Sequence, residues 1–277
     1  MKAKVILVKI WATAACALTL GTIFFLFAYI FYHGAEAITW EFLTESPKGM
    51  VIGTEGGILP AIVGSAWYTG IASLFGAVLG ICTAIYQVYY CRNQRISDAI
   101  ALIMKCMAGV PSIVMGLFGY TLLVLTLGWG KCILAGGITQ GVMILPFIQV
   151  RAEKALREVE PALVHASYGL GMSKAYTIRR IVLPQCLPQL VSGVILGACY
   201  AMGAAAPLIF TGAVIIAKVP ESIKKPAMAL PYHLYMLLTQ GTSSVNTYGT
   251  AFVMMMIVLV TNSLAIWFTR RNSGSIR

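Results

Sequence analysis

The chain has 277 residues, 59% of them hydrophobic and only 10% charged, with a mean hydropathy of +0.84 and a net charge of +11. Soluble domains carry about 25% charged residues, so this composition excludes a water-soluble enzyme and points to a polytopic membrane protein. Hydropathy also argues against a nucleic-acid binder as the reason for the basic charge.

Taken in order, the apolar runs predict six spans. At about 20 residues each, they leave room for loops but for no separate soluble domain. The first covers 5–31. It follows Met1-Lys-Ala-Lys and resembles a signal peptide, but it continues without a clear small-residue cleavage site and is read as a retained span. A loop with Trp40, Glu41, Glu45, Pro47 and Lys48 leads to the second span, 58–86, rich in Gly and Ala, which lets helices approach closely. The third run, 99–127, is interrupted by Gly109, Pro111, Gly116 and Gly119. Its first part, with Lys105, either lies at the interface or enters the bundle. The fourth span is 132–150, the fifth 187–210 and the sixth 248–268. The fifth carries Gly193 and Gly197 at close-packing spacing. Between the last two spans, Tyr232–Leu238 reads as a short re-entrant or interfacial helix. His33 and His233 read as interfacial. The seven Cys are scattered, without a CxxC pair, and read as small hydrophobes. No metal-ligand spacing and no nucleophile–base pair stands out, so no catalytic residue is expected.

Lys and Arg set the expected orientation. With the N terminus inside, fifteen of the twenty Lys and Arg fall in inner segments, and the inner face carries the whole net charge. Both termini are then cytoplasmic, and so is the polar insert 151–186.

That insert reads as helix, turn, helix. Pro161 suits a first helical position, Gly169 and Gly171 permit a sharp reversal, and Ser173 is placed to cap the next helix. Arg179 and Arg180 fall on its later turns. Pro184 and Pro188 are expected to end it before the fifth span.

From His165 to Pro184 the spacing resembles the "EAA" loop of ABC-importer permeases: Glu-Ala-Ala, three residues, Gly, nine residues, Ile-x-Leu-Pro. Ala166, Gly171, Ile181, Leu183 and Pro184 occupy its fixed points, with His165 at the glutamate and Ser167 at the second alanine. Trp40–Pro47, Gly56–Pro60, Ala108–Gly119 and Ala206–Thr211 further resemble the phosphate-importer permease subunits. The resemblance implies an all-α membrane protein of the type I importer permease fold, forming one domain over 1–277 with cytoplasmic coupling helices in the plasma membrane of a bacterial cell. It implies as partners two ATPase subunits, a second homologous permease or a second copy, and an external binding protein. Lacking a Walker A sequence, this chain is expected to leave ATP and Mg to the partner subunits and to bind no cofactor itself.

Departures from the family pattern cluster at charged positions. The usual arginine stands one place later, at Arg151 instead of Val150, about 100° around a helix. Tyr200 replaces an arginine, Ala204 a glutamate and Lys105 an acid. Charges within a membrane are costly and usually functional, so Lys105, Arg151, Ser112 and Tyr200 are the candidate substrate-pathway residues. Lys105 has a second reading, in which it only snorkels to the interface. The expected function is the permease of an ATP-driven phosphate importer. The alternatives are a permease for another small oxyanion and a permease-like sensor or scaffold that no longer transports.

Overall fold

A computed structural model describes residues 2–48 and 52–273, with side chains from Val5 to Trp267. The expectations for Lys2, Lys4, Arg270, Arg271 and Arg277 lie outside the described side chains.

Helix α1 (Lys2–Gly34) packs mainly on α12 (Ser244–Ser273) and on the turn that follows α1. After the short α2 (Trp40–Thr44), strands β1 (Pro47–Lys48) and β2 (Glu55–Gly56) form a small antiparallel hairpin. Helix α3 (Leu59–Ile85) starts with Pro60 at an N-terminal position and ends in a π-helical turn, Tyr86–Tyr90. Helices α4 (Gln94–Ala108) and α5 (Ser112–Gly119) follow, the latter extended by a π turn to Thr126. Helix α6 (Ile133–Arg157) is the central column. It leads to α7 (Pro161–Gly169) and α8 (Lys174–Thr177), then through a π turn at Ile178–Val182 to α9 (Leu183–Gly203). Helices α10 (Ala206–Thr211) and α11 (Leu230–Gln240) precede α12.

Among the described residues, five helical stretches are long and apolar enough to cross a membrane: Val5–Ala37, Leu59–Tyr90, Ile133–Arg157, Lys174–Gly203 and Ser244–Trp267. A sixth crossing exists only if α4 and the α5 segment count as one, and these are bent 101° apart. The interrupted run 99–127 is thus two helical pieces, Gln94–Ala108 and Ser112–Thr126, meeting at Pro111. Pro111 has no N–H, and a residue before proline disfavours the α region. The Pro111 carbonyl instead starts a new helix by accepting from Val114 and Met115 at 2.9 and 3.2 Å.

The fifth span also differs from its sequence boundaries. Pro184 and Pro188 do not break the chain before it, because the stretch Lys174–Gly203 is helical throughout. The wide π turn precedes Pro184, which then sits at the start of α9, where a missing N–H costs little. The span stops at Gly203, and residues 206–211 form the separate α10.

Small residues set the α3–α6–α9 packing. A Cβ at Gly80 would meet Gln149 N at 3.2 Å, and one at Gly197 would meet the Ile148 side chain at 3.1 Å. Glycine at these positions lets the backbones close up, as the spacing of Gly193 and Gly197 predicts.

At the far end of α6, the loop from Gly212 to Ala229 is buried at its two ends, 212–213 and 227–229, while most of 215–226 is exposed. Its carbonyls at Lys225 and Ile223 accept from Ile133 and Leu134 N–H, each at 3.0 Å. These are first-turn donors that a helix cannot satisfy itself. Tyr68 both donates to Ala227 O and accepts from Ala227 N, at 3.3 Å each. Ser65 Oγ accepts from Leu230 N at 2.7 Å. Helix α11 consequently presses Leu230, Pro231, His233 and Leu237 into the interior. His233 is 3% exposed, so it is a core residue and not an interfacial one. His33 is exposed and stacks with Tyr29 and Tyr248.

Candidate functional site

The His165–Pro184 segment is a helical hairpin that projects from the α6–α9 pair. Pro161 opens α7, and Gly171 turns the chain at φ +77°, a region that L side chains enter at a cost. Leu170, Gly171 and Met172 N–H groups donate back to Ala166, Tyr168 and Ser167 carbonyls at 3.1, 3.0 and 3.1 Å. This closes the end of α7 in the manner of a glycine C-cap. Ser173 Oγ then accepts from Tyr176 N and caps α8 at 3.4 Å, the role its position predicts.

Ser167 is the pin of the hairpin. Its hydroxyl donates to Val164 O at 2.7 Å and lies 3.0 Å from Thr177 Oγ1, joining the two arms. Both residues are buried, as are Ile178 and Val182, while most of the hairpin is exposed. The departure at the second alanine position thus supplies a cross-arm bond that alanine cannot make.

Beneath the hairpin, Val159, Val182, Cys186 and Leu190 form one cluster with Ala84, Ala152, Ala155 and Leu156. Lys174 Nζ sits 4.9 Å above the Tyr90 ring, and Tyr89 OH donates to Leu156 O at 3.2 Å. Any displacement of the hairpin must therefore push on α3, α6 and α9 together, since packed interiors transmit strain. The tip faces outward with Leu163, Tyr168, Leu170 and Tyr176 exposed, flanked by Lys174, Arg179 and Arg180. His165 and Ala166 are exposed too, and His165 lines a shallow recess with Arg157, Val164 and Tyr89. Ile181 and Leu183 are half-buried, and Pro184 is exposed.

Sequence reasoning overlooked a buried polar network at the same end. Gln149 is fully buried and donates to Gln87 Oε1 at 2.7 Å and to Glu153 Oε2 at 3.2 Å. Gln87, on the π turn of α3, donates to Ser97 O and Oγ of α4 at 3.2 and 3.3 Å. Glu153 in turn holds Arg157 at 2.9 Å. The available signal was glutamine inside apolar runs, where an unpaired amide is costly. Gln140 follows the same rule further along α6. It donates to Ala201 O and Ala204 O at 2.9 and 3.1 Å and steadies the break between α9 and α10.

The four pathway candidates do not converge on one point. Lys105 is exposed on the last turn of α4, and Ser112 begins α5 across the bend. Tyr200 stacks on Phe147 at 5.0 Å. Arg151 faces α9 in a cleft with Lys154, Gln189 and Ser192, while Val150 points outward and is 53% exposed.

A long apolar bundle that carries a pinned, basic hairpin is the build of a polytopic membrane protein. Residues 76–277 match the family described as "Binding-protein-dependent transport system inner membrane component", and the chain belongs to that family. It is 30% identical over 258 residues to the "Probable ABC transporter permease protein YqgI" of Bacillus subtilis, covering 87% of each chain. It is 31% identical over 217 residues to the "Phosphate transport system permease protein PstA 1" of Mycobacterium tuberculosis, covering 76% of this chain and 69% of that one. In fold it is similar to a chain of the inward-facing MetNI methionine transporter, with a TM-score of 0.65, 18% identity and coverage of 78% and 95%. It is also similar to a chain of a bacterial alginate transporter, with a TM-score of 0.66, 15% identity and 94% coverage of both. The chain is an ABC-importer permease subunit with the type I permease fold.

Proposed function

We propose that this subunit moves an inorganic oxyanion, phosphate first among them, into a bacterial cell as part of an ATP-driven importer. The observation that carries the reading is the pinned hairpin, whose tip is apolar, basic and uncovered while its base is locked to α3, α6 and α9. Such a lever fits a groove on a cytoplasmic ATPase subunit. The complete importer would hold two such ATPases, which bind ATP and Mg, a second permease and an external binding protein. The hairpin, the basic Lys and Arg distribution and both termini then face the cytoplasm.

Alternating access follows from this construction. Closure of the ATPase dimer shifts the hairpins, and the bundle opens outward to accept solute from the binding protein. Hydrolysis returns it. Phosphate is favoured by the likeness to relatives named as phosphate permeases and by cations on the candidate pathway. Lys105 is the cation for the solute, with Ser112 beside the bend, Tyr200 along α9 and Arg151 near the inner mouth.

The test is uptake of radiolabelled phosphate into proteoliposomes that contain the assembled importer and its binding protein. ATP-dependent uptake is expected, with sulfate and molybdate as competing solutes. Lys105→Ala should lower uptake about tenfold, the effect of losing some 1.4 kcal/mol of interaction, and Lys105→Arg should retain most of it. Normal uptake by Lys105→Ala would return Lys105 to an interfacial role. An assembled complex that hydrolyses ATP yet moves no oxyanion would refute the transport reading and favour a scaffold.

A further inference from the structure

The cleft between α6 and α9 has a volume of about 380 Å³ and lies at the coupling-loop end of the bundle. Its polar lining is Arg151, Lys154 and Glu158 from α6 and the residue beyond it, with Gln189 and Ser192 from α9. Gly193 brings α9 flush against the arginine, since a Cβ there would meet Arg151 Cβ at 3.3 Å and Cδ at 3.6 Å. The arginine stem thus lies along α9 while the residue as a whole stays exposed.

The donors in this cleft are unspent. Arg151, Gln189 and Ser192 side chains make no hydrogen bond or ion pair among the described residues. Lys154 has one partner, Glu158, at a long 3.9 Å with both side chains well exposed. A pair of that kind is worth little. The neighbouring acid Glu153 is occupied elsewhere, by Arg157 at 2.9 Å and Gln149 at 3.2 Å. The cleft therefore gathers a guanidinium, an ammonium, an amide and a hydroxyl, opposed by one rim carboxylate.

We infer that the α6–α9 cleft is an oxyanion site that takes a phosphate group. A guanidinium fork matches two phosphate oxygens, and such charge-assisted bonds are about twice as strong as neutral ones. Arg151 stands six residues from the end of α6, about 9 Å along its axis, which is headgroup depth for a helix that ends at the interface. Two sources offer the same chemistry there: the phosphodiester of an anionic lipid, and free phosphate on the cytoplasmic side. In its free-phosphate form the site rests on the transport reading, which already uses Arg151; in its lipid form it stands whichever solute the importer carries.

The complete importer, purified with its partner subunits, is tested without ATP or binding protein. One arm uses nanodiscs of phosphatidylcholine alone and measures equilibrium binding of radiolabelled inorganic phosphate. The other uses phosphatidylcholine mixed with phosphatidylglycerol and measures phosphatidylglycerol retention by native mass spectrometry. Phosphate bound in neutral discs identifies the free anion, and retained phosphatidylglycerol identifies the lipid. In either case Arg151→Gln and Gln189→Leu should each cut occupancy about tenfold, while Arg151→Lys should retain part of it. If Arg151→Gln fails to assemble, Gln189→Leu combined with Ser192→Ala reads the same site. Intact complexes whose occupancy by both ligands is unchanged in these variants would overturn the assignment.

Discussion

The two ends of α6 solve one problem in opposite ways. At each end the chain leaves the bundle, makes a loop and returns. The Gly212–Ala229 loop is anchored inward at its ends, with Ala227, Met228 and Ala229 fully buried while its middle stays exposed. Its Ile223 and Lys225 carbonyls accept from α6, Ala227 bonds to Tyr68, and Ser65 accepts from Leu230 N just beyond it. The His165–Pro184 hairpin is pushed outward, with Leu170 76% exposed at its tip. Its arms are held by a single buried hydroxyl pair and an apolar base. The first construction resists displacement, because any shift strands buried polar groups. The second is exposed at its tip and packed at its base, the build that the proposed transmission to an ATPase uses.

The largest effect should come from forcing the buried end apart. A Cβ at Gly64 would collide with the Met228 carbonyl. Gly64→Val should lower stability by about 3 kcal/mol or more, read as lost assembly in size-exclusion chromatography. A normal complex would mean that the buried loop yields after all.

Acid should attack the same end next. Burial lowers the His233 pKa from 6.5 to about 4. The neutral form is favoured in the folded protein, so stability is full above pH 6.5 and falls as pH drops from 6.5 towards 4. The loss is about 3 kcal/mol, measured as the melting temperature of the purified protein across that range. His233→Phe should flatten the profile even if it shifts its height.

The coupling-loop end should respond differently. Gln149→Leu leaves Gln87 Oε1 and Glu153 short of a donor. It should cost about 1–3 kcal/mol and weaken the link between ATP hydrolysis and uptake. Hydrolysis and transport measured together would reveal a changed ratio, and an unchanged ratio would reduce the network to packing. The smallest stability change is expected for Ser167→Ala, about 1 kcal/mol. Its effect should appear mainly in coupling, because Ala restores the commoner residue at that position while removing the bond to Thr177.

Much of this was legible in the chain. Long apolar runs can cross a membrane only as helices with satisfied backbones, so their number was near to fixed by composition. Gly171, Ser173 and Pro161 were legible because each acts through its own backbone conformation. The 101° bend was half legible. Pro111 marked it, but a kinked span and a true bend share the same residues. Pro184 misled for the complementary reason: its effect depends on whether the preceding turn is α or π, and local sequence does not reveal that.

By itself, the sequence determined the class of protein, the apolar runs and the hairpin, because hydropathy and backbone preference act over neighbouring residues. Only the tertiary structure decided where side chains distant in sequence meet. It turned Arg151 towards Ser192 rather than along the outward face of Val150. It joined Gln87, Ser97 and Gln149 across three helices, and buried His233 beneath a loop. A turn of 100° per residue is set by the helix, but what stands opposite depends on which helix packs there, and that is settled by the whole bundle.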